Sequence, residues 1–334
     1  MGAPLVWTTG NPVPSVRLNT GALMPAIAFG TGFNRRARRG RNSPVAALVN
    51  MSLSLGYTHI DTSERYPGFD SVGSLLRQLP RERMFVTSKV DPTQFRGRRH
   101  ATCGSDGQGC REAMLTAANT TVHRLGIVPD LMLLHRPPRP QGGATAQCTR
   151  LRESWRGLED AHAHGLARAI GLSNCCGQLL ICLATTARQP PAVLQYLHHI
   201  GMGQDPFGYR AWAFRTWGSV YMAYSVLGGI EGDFEKIARA PAVQQIAAVH
   251  GTSGASVALS WVAQLGLPLV LLSTSAQHLK ENLAIFSQPQ WGALTELEMA
   301  RLSKLREPHG RPSYWGDCND EVITNSSESR SRGR

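Results

Sequence analysis

The sequence predicts an α/β fold, specifically a (β/α)8 or TIM barrel. Three observations support this: eight short apolar runs, helical patterns between the runs, and a total span of about 250 residues, typical of this barrel. Most of the runs are nearly continuous in apolar residues, as parallel strands buried on both faces should be. The eight predicted strands are AIAF (26–29), YTHI (57–60), MFVTS (84–88), LMLL (131–134), ARAIGL (167–172), AVLQYL (192–197), VYMAY (220–224) and PLVLL (268–272).

Helical spacing is visible between the predicted strands. Val45, Leu48, Val49 and Leu53 recur at i, i+3 and i+4, and a similar pattern occupies 114–125. Three further segments predict helices, and two of them end at a glycine that follows a histidine, a common helix end. These segments are 154–165, 241–251 and 255–266.

A β-hairpin is predicted before the first strand, where SVRLNTGALMP (15–25) has two apolar segments about an Asn-Thr-Gly turn. Such a hairpin would close the bottom of the barrel. The alternative fold is a doubly wound open sheet. That fold favours a GxGxxG turn after its first strand, and GTGFN (30–34) is not one.

The barrel is expected to span 15–310, after an N-terminal extension at 1–14 and before a disordered Ser/Arg-rich tail at 311–334. Two stretches rich in Gly, Pro and Arg, 95–110 and 136–150, are predicted to be loops. Both follow strand ends, where the loops of a barrel build its active face.

Composition narrows the class of protein. No stretch of 18 uninterrupted apolar residues exists, and the N-terminus lacks the pattern of a secretory signal. Seven cysteines without CxxC spacing predict reduced thiols and not a disulfide framework. The expected location is therefore the cytoplasm, with no membrane partner. No metal site is expected, because the histidine pairs lack a third ligand at usable spacing.

The net charge of +12 is concentrated at 35–41, 96–99 and 329–334. No aromatic residues interleave with these arginines as stacking platforms, and no nucleic-acid-binding motif is present. We therefore expect no nucleic-acid partner. A basic field of this size still attracts anionic ligands, including a phosphorylated cofactor.

Polar residues end several of the apolar runs. They are Asp61, followed five residues later by Tyr66, then Lys89 and His135. Each has an ordinary structural interpretation when taken alone; Asp61, for example, precedes a plausible helix-capping run. Because the carboxyl ends of barrel strands converge on one mouth, the four residues together predict a proton-transfer site.

This set suits the reduction of a carbonyl group, which becomes an alkoxide on receiving hydride and then needs a proton. A free phenol with a pKa of about 10 is a reluctant acid, and a neighbouring ammonium should move the pKa of Tyr66 toward neutrality. Lys89 is the candidate ammonium, Asp61 would fix its position, and neutral His135 would orient the carbonyl. None of these groups carries hydride, so a cofactor must supply it.

The chain resembles the aldo-keto reductase family over roughly 15–307. The matching stretches are LNTGALMPAIAFGTG (18–32), GYTHIDTSERY (56–66), FVTSK (85–89), LGIVPDLMLLHRP (125–137), GLEDAHAHGLARAIGLSN (157–174), PAVLQY (191–196), AYSVLG (223–228) and HLKENLAIF (278–286). The resemblance implies an NADP(H)-dependent reductase of aldehydes or ketones. It also implies that Tyr66 is the general acid, that Lys89 and Asp61 tune it, and that His135 orients the substrate.

The resemblance implies a cofactor site as well. Ser173, Asn174 and Gln195 would hold the nicotinamide carboxamide, and Tyr224 would stack on the ring. Residues from 273 to 282 would hold the adenosine phosphate. The full predicted set is Gly30, Thr31, Gly32, Asp61, Ser173, Asn174, Gln195, Tyr224, Ser225, Leu227, Ser273, Thr274, Ser275, His278, Glu281 and Asn282.

Two departures from the family pattern bear on function. His278 stands where several members place an arginine against the 2′-phosphate, which leaves the use of NAD(H) open. Arg136 stands where tryptophan is common and would favour an anionic substrate if it faces the mouth. The alternative function is a non-catalytic, cofactor-binding regulatory subunit on the same barrel. The expected partner is a small-molecule carbonyl substrate, and the expected state is a monomer.

Overall fold

Eight parallel strands close into a barrel in the computed structural model, which describes residues 4–7, 13–32, 45–91, 103–104, 106–139, 142–228, 237–286 and 292–305. Each strand pairs with the next along the chain, and the last pairs with the first. The barrel strands are β4 (Ile27–Gly30), β5 (His59–Asp61), β6 (Phe85–Val90), β7 (Leu131–Leu134), β8 (Ile170–Ser173), β9 (Val193–Leu197), β10 (Val220–Tyr224) and β11 (Leu269–Leu271). The predicted barrel is confirmed, and all eight predicted strands overlap an observed one.

Three short N-terminal strands form an antiparallel sheet: β1 (Leu5–Val6), β2 (Ser15–Arg17) and β3 (Leu23–Pro25). β2 and β3 form the predicted hairpin. Val16 and Met24 from this hairpin are buried in one cluster with Phe85, Leu131 and Val193, which are the first residues of their strands. The sheet therefore covers the end of the barrel at which the strands begin. β1 was not predicted, and it lies in the expected N-terminal extension.

Helices surround the barrel. They are α1 (Val45–Ser54), α2 (Phe69–Leu76), α3 (Cys110–Leu125), α4 (Gly143–Ala163), α5 (Gly177–Ala184), α6 (Tyr209–Trp217), α7 (Pro241–His250), α8 (Gly254–Gln264), α9 (Ala276–Ala284) and α10 (Glu296–Ser303), with 3-10 turns at Arg81–Arg83 and Ile200–Met202. α3 and α4 approach closely at Gly157, where an added Cβ would lie 2.3 Å from the carbonyl oxygen of Arg111. That distance is far inside van der Waals contact, so no larger residue fits between the two helices there.

The structure corrects one of the predicted loops. Residues 136–150 were expected to be irregular, but α4 begins at Gly143. Two polar residues occupy its inner face. Gln147 donates to the carbonyl of Pro138 at 2.7 Å, and both Gln147 and Arg150 are buried. Polar residues at buried positions hide the helical period, which explains why the hydrophobic pattern missed the start of this helix.

Most of the other predicted loop, 95–110, lies outside the described residues, as does the predicted tail at 311–334. The part that is described turns into α3 at Cys110.

The structure also corrects the prediction for the cysteines. Cys103 is bonded to Cys110, and Cys148 on α4 is bonded to Cys182 on α5. Cys176 is also disulfide-bonded, and Cys175 is the free, buried cysteine of the described residues. The prediction of reduced thiols is therefore wrong, and the cysteines give no support to a cytoplasmic location. The bond between Cys148 and Cys182 was hidden from the sequence because it requires α4 and α5 to be neighbours around the barrel.

Within the described ranges, no individual helix has the length and apolar character needed to cross a bilayer. One pair of helices, α7 with α8, reaches the required length and composition only when joined across a 93° bend.

Candidate active site

The four candidate catalytic residues meet where their strands end. Asp61 is the last residue of β5, Lys89 is the fifth of the six residues of β6, and His135 directly follows β7. β5 pairs with β6, and β6 pairs with β7, so these three residues lie on adjacent strands. Tyr66 is brought back to them by the turn that follows Asp61, in which the amide of Tyr66 donates to the carbonyl of Ser63 at 2.9 Å.

Lys89 and Asp61 form an ion pair at the centre of this group, and each residue is only 2% exposed. The ammonium also donates to the carbonyl of Thr62 at 3.3 Å. The second carboxylate oxygen accepts from Nε2 of Gln195 at 2.9 Å. Each charge thus has further hydrogen-bond partners, which a buried ion pair needs if the attraction is to offset desolvation.

Tyr66 lies beside this pair. Nζ of Lys89 is 5.0 Å from the centroid of the Tyr66 ring. The ring also meets His135 edge-on, with centroids 5.6 Å apart and planes at 83°. On its other side is Gly32, where an added Cβ would lie 3.1 Å from Cζ of Tyr66. The absence of a side chain at Gly32 therefore makes room for the phenol.

The pKa of Tyr66 is raised, and the direction results from competing effects. Desolvation by burial is the largest of them and raises the pKa. The Lys89 ammonium lowers it, as expected from the sequence, and the Asp61 carboxylate raises it again. The prediction of a net shift toward neutrality is therefore wrong for this structure, because desolvation and the Asp61 charge outweigh the effect of Lys89.

The charge states of Lys89 and His135 follow from the directions in which their pKa values are shifted. Burial alone would lower the pKa of Lys89, but the Asp61 carboxylate and Tyr66 outweigh it, so the net shift is upward and the amine is an ammonium. Burial and the positive charge of Lys89 lower the pKa of His135 well below its usual value. His135 is therefore a neutral imidazole at physiological pH, as the sequence predicted.

Ser63 was not among the predicted site residues, yet its Oγ lies 3.2 Å from Nδ1 of His135. The same hydroxyl donates to the carbonyl of Lys89 at 3.3 Å, and either Ser63 or His135 can be the donor in the contact between them. Ser63 stands in the quoted stretch THIDTSERY, but nothing in its sequence context distinguishes it from an ordinary turn serine.

A second group of predicted residues lies at the ends of β8, β9 and β10. Oγ of Ser173 donates to the carbonyl of Gln195 at 3.0 Å. The Asn174 amide donates to the carbonyl of His135 at 2.9 Å and accepts from the Tyr224 hydroxyl at 2.9 Å. Asn174 has a φ of 63°, a left-handed conformation that asparagine tolerates better than most residues. These contacts join the group directly to the candidate catalytic residues.

The glycine-rich end of β4 lies next to Asp61, on the side of β5 that faces away from β6. The amide of Thr31 donates to the carbonyl of Asp61 at 2.9 Å, and its hydroxyl donates to Thr62 at 2.9 Å. At Gly30 an added Cβ would lie 2.8 Å from Cγ1 of Val270 on β11, so a side chain would require that neighbour to move. Gly30, Thr31 and Gly32 thus form the wall of the site next to β11.

Ser225 and Leu227 lie in the turn after β10. Ser225 has a φ of 51°, and its carbonyl accepts from the amide of Gly228 at 2.7 Å. Both residues are half-buried.

The remaining predicted residues form a separate cluster, defined by the turn after β11 and the start of α9. The amide of Ser275 donates to Oγ of Ser273 at 3.1 Å, and the amide of His278 donates to Oγ of Ser275 at 3.3 Å. Asn282 is half-buried, and the hydroxyl of Tyr57 donates to the carbonyl of Leu279 on the same helix at 3.2 Å. Thr274, His278 and Glu281 are exposed. β11 pairs with β4, which places this cluster beside Gly30 at the same end of the barrel.

The described residues contain no group of three or more His, Cys, Asp or Glu side chains placed to hold a metal ion. The arrangement at the mouth can instead store a proton on a phenol beside an ammonium, with hydroxyl and amide groups near it. Such a site can protonate a nascent alkoxide, provided that a bound cofactor supplies hydride.

Comparisons with known proteins agree with this geometry. A family model described as the Aldo/keto reductase family matches residues 26–307, which cover all eight barrel strands. The chain therefore belongs to the aldo/keto reductase family.

Similar proteins come from distant organisms. Morphine 6-dehydrogenase of Pseudomonas putida is 30% identical over 303 residues, which cover 87% of this chain and 91% of that protein. Aldo-keto reductase family 1 member A1 of Rattus norvegicus is 29% identical over 81% of this chain and 84% of its own. A Bombyx mori aldo-keto reductase solved in complex with NADP has a TM-score of 0.71 at 25% identity, with 93% of this chain and 99% of that chain covered.

Proposed function

We propose that this protein is an NADPH-dependent reductase that converts an aldehyde or ketone to an alcohol, with Tyr66 as the proton donor. The observation that carries the proposal is the position of the Tyr66 phenol, whose ring centroid lies 5.0 Å from the Lys89 ammonium and which meets the neutral ring of His135 edge-on. The proposed catalyst is a single chain acting on a small molecule, with no nucleic-acid or membrane partner.

The raised pKa of Tyr66 suits this role. A phenol that holds its proton firmly is fully protonated at neutral pH and is ready to donate. An alkoxide is a far stronger base than a phenolate, so the transfer runs downhill. Once the proton has left, the Lys89 ammonium stabilises the phenolate electrostatically, and it does so in a buried site where the interaction is strong.

Asp61 and Gln195 serve this step indirectly. Asp61 holds the ammonium in place, and Gln195 holds the second oxygen of Asp61. His135 would donate a hydrogen bond to the substrate carbonyl from Nε2, in the tautomer that carries its proton there.

The residues at the mouth fit a nicotinamide cofactor. Ser173, Asn174 and Gln195 present hydroxyl and amide groups suited to a carboxamide, and Tyr224 presents an aromatic ring beside them. The missing side chain at Gly32 lets the Tyr66 ring pack closely against the end of β4. A nicotinamide bound there supplies the hydride that none of the side chains can provide.

The cluster after β11 fits the phosphate end of the same cofactor. Ser273, Thr274 and Ser275 bring three hydroxyl groups to the N-terminus of α9, and a helix N-terminus favours anions. His278 contributes a weaker phosphate partner than an arginine would, and Glu281 opposes a phosphate. We therefore propose NADP(H) as the cofactor, with a smaller preference over NAD(H) than an arginine would give.

The comparisons support the class of reaction and the cofactor. The Bombyx mori neighbour was solved with NADP, and a relative from Papaver somniferum, 27% identical over 91% of this chain, is named an NADPH-dependent codeinone reductase.

The proposal is tested with purified protein, NADPH or NADH, and 4-nitrobenzaldehyde, by following the loss of absorbance at 340 nm. Cofactor affinity is measured in parallel from the quenching of tryptophan fluorescence. Turnover with tighter binding of NADPH than NADH is the expected result. Tight binding without turnover of this or other reactive aldehydes would support the regulatory subunit instead, and the absence of binding would refute both functions.

A further inference from the structure

Ser63 connects three of the four candidate catalytic residues. Its carbonyl accepts from the amide of Tyr66 at 2.9 Å, within the turn that follows β5. Its hydroxyl oxygen lies 3.3 Å from the carbonyl oxygen of Lys89 and 3.2 Å from Nδ1 of His135. Ser63 is fully buried, with 0% of its surface exposed. One short side chain thus contacts both the backbone of β6 and the imidazole that follows β7.

The two ring nitrogens of His135 have different surroundings. Nδ1 contacts Ser63, whereas Nε2 has no hydrogen-bond partner among the residues that the structure describes. The backbone at the ring is fixed, since the amide of His135 donates to the carbonyl of Val90 at 2.8 Å and its own carbonyl accepts from Asn174 at 2.9 Å. The ring itself packs edge-on against Tyr66. Ser63 therefore supplies the polar contact that sets how this ring is turned.

The neutral state of His135 makes the choice of tautomer consequential. A neutral imidazole carries one hydrogen, on one of its nitrogens, and accepts a hydrogen bond at the other. To donate to a substrate carbonyl from Nε2, the ring must accept at Nδ1, and the Ser63 hydroxyl is the group within reach of that nitrogen. The single hydrogen of the hydroxyl can be shared between Nδ1 and the carbonyl of Lys89, because the two acceptors lie at nearly equal distances of 3.2 and 3.3 Å.

We propose that Ser63 is a positioning residue for carbonyl reduction and that it acts through His135. Its hydroxyl donates to Nδ1, which fixes the ring beside Tyr66 and keeps the imidazole proton on Nε2, where it meets the substrate carbonyl. The hydrogen bond made by one ring nitrogen commonly decides which nitrogen carries the proton. This inference rests on the proposed function and adds to it the residue that prepares the carbonyl-binding group.

The tautomer is read from NMR spectra of protein labelled with 15N at histidine, without substrate. The chain has 11 histidines, so the signals of His135 are identified by their loss in His135→Phe, which keeps an aromatic ring and removes both nitrogens. Nε2 of wild-type protein should carry the hydrogen, and Ser63→Ala should shift the signal of Nδ1. Ser52→Ala is the matched control and should leave that signal unchanged, since Ser52 is also fully buried but donates to Val49 on α1 at 2.8 Å.

A double-mutant cycle tests whether Ser63 acts through the imidazole. kcat and KM for the reduction of 4-nitrobenzaldehyde by NADPH are measured for wild type, Ser63→Ala, His135→Phe and the double variant. Ser63→Ala should lower kcat/KM by about 3–10-fold, as for the loss of one hydrogen bond. In the His135→Phe background the same change should have no further effect, because the group that Ser63 positions is already gone. Thermal unfolding of each variant, with Ser52→Ala alongside, identifies any loss of the fold.

Each result decides between the claims. A proton on Nδ1 of wild-type protein would overturn the inference, because Ser63 would then accept from the ring. An unchanged rate in Ser63→Ala would also overturn it. An equal loss in both backgrounds would do the same, because Ser63 would then act through Lys89 or through the turn to Tyr66. Wild-type protein that reduces no reactive aldehyde would instead overturn the proposed function, and this inference with it.

Discussion

Removal of the Lys89 ammonium should destabilise the fold strongly, because it leaves the Asp61 carboxylate buried without its counter-ion. Both residues are only 2% exposed, so water cannot replace the lost partner. Gln195 remains as one hydrogen-bond donor to the carboxylate, at 2.9 Å. Breaking a buried pair on one side costs about 3–5 kcal/mol, and we expect Lys89→Met to lower the free energy of unfolding by that amount.

The double variant Asp61→Asn/Lys89→Met separates the charge from the packing. The neutral amide no longer requires a counter-ion, so the double variant should be more stable than Lys89→Met alone by about 1–3 kcal/mol. Urea unfolding followed by tryptophan fluorescence measures both differences, with Lys304→Met as the control for loss of an exposed lysine.

The loss of stability in Lys89→Met should keep the same size from pH 6 to 9. A lysine whose pKa is raised by folding contributes stability fully below the pKa of an unfolded lysine, about 10.4, and loses it only as pH climbs through the folded value. A cost below about 1 kcal/mol for Lys89→Met, or a double variant less stable than the single one, would refute the account of the buried pair.

Three further changes test other parts of the structure. Replacing Cys148 and Cys182 with alanine should lower the free energy of unfolding by about 3–4 kcal/mol in urea, because the bond closes a loop with a sequence separation of 34; no loss would contradict that disulfide. Glu64→Gln should become more stable than wild type between pH 5 and 8, by about 1–3 kcal/mol in thermal melts, because a carboxyl with a pKa near 7 costs stability as it ionises; parallel pH profiles would contradict its burial. Gly32→Ala should lower kcat without unfolding the protein, because the new methyl group would meet the Tyr66 ring at 3.1 Å; an unchanged kcat would show that Gly32 does not set the position of the phenol.

The barrel was predictable from the sequence because each strand has a local signal. Parallel strands covered on both faces need apolar residues at every position, and LMLL at 131–134 is fully buried, as that pattern requires. The catalytic candidates were predictable for a related reason. His135 and Lys89 end or interrupt such runs, and the barrel topology places strand ends together.

Other features depended on packing that no local pattern carries. The start of α4 was missed because Gln147 and Arg150 occupy its buried face, where a hydrophobic period should appear. The disulfide between Cys148 and Cys182 requires α4 and α5 to be neighbours. The upward shift of the pKa of Tyr66 depends on the extent of its desolvation, which the sequence does not specify. These features all arise from tertiary contacts between distant segments.

The central claim is that the Tyr66 hydroxyl donates the proton, and Tyr66→Phe tests it most directly because it removes one oxygen atom. Tyr221→Phe is the matched control, since Tyr221 is a buried tyrosine whose hydroxyl lies 3.3 Å from Nδ1 of His198. Single-turnover and steady-state reduction of 4-nitrobenzaldehyde by NADPH are measured together with cofactor affinity. The account predicts a rate lower by about 10²–10⁴-fold in Tyr66→Phe, with NADPH affinity retained and Tyr221→Phe close to wild type. A Tyr66→Phe protein that reduces the aldehyde at the wild-type rate would contradict it.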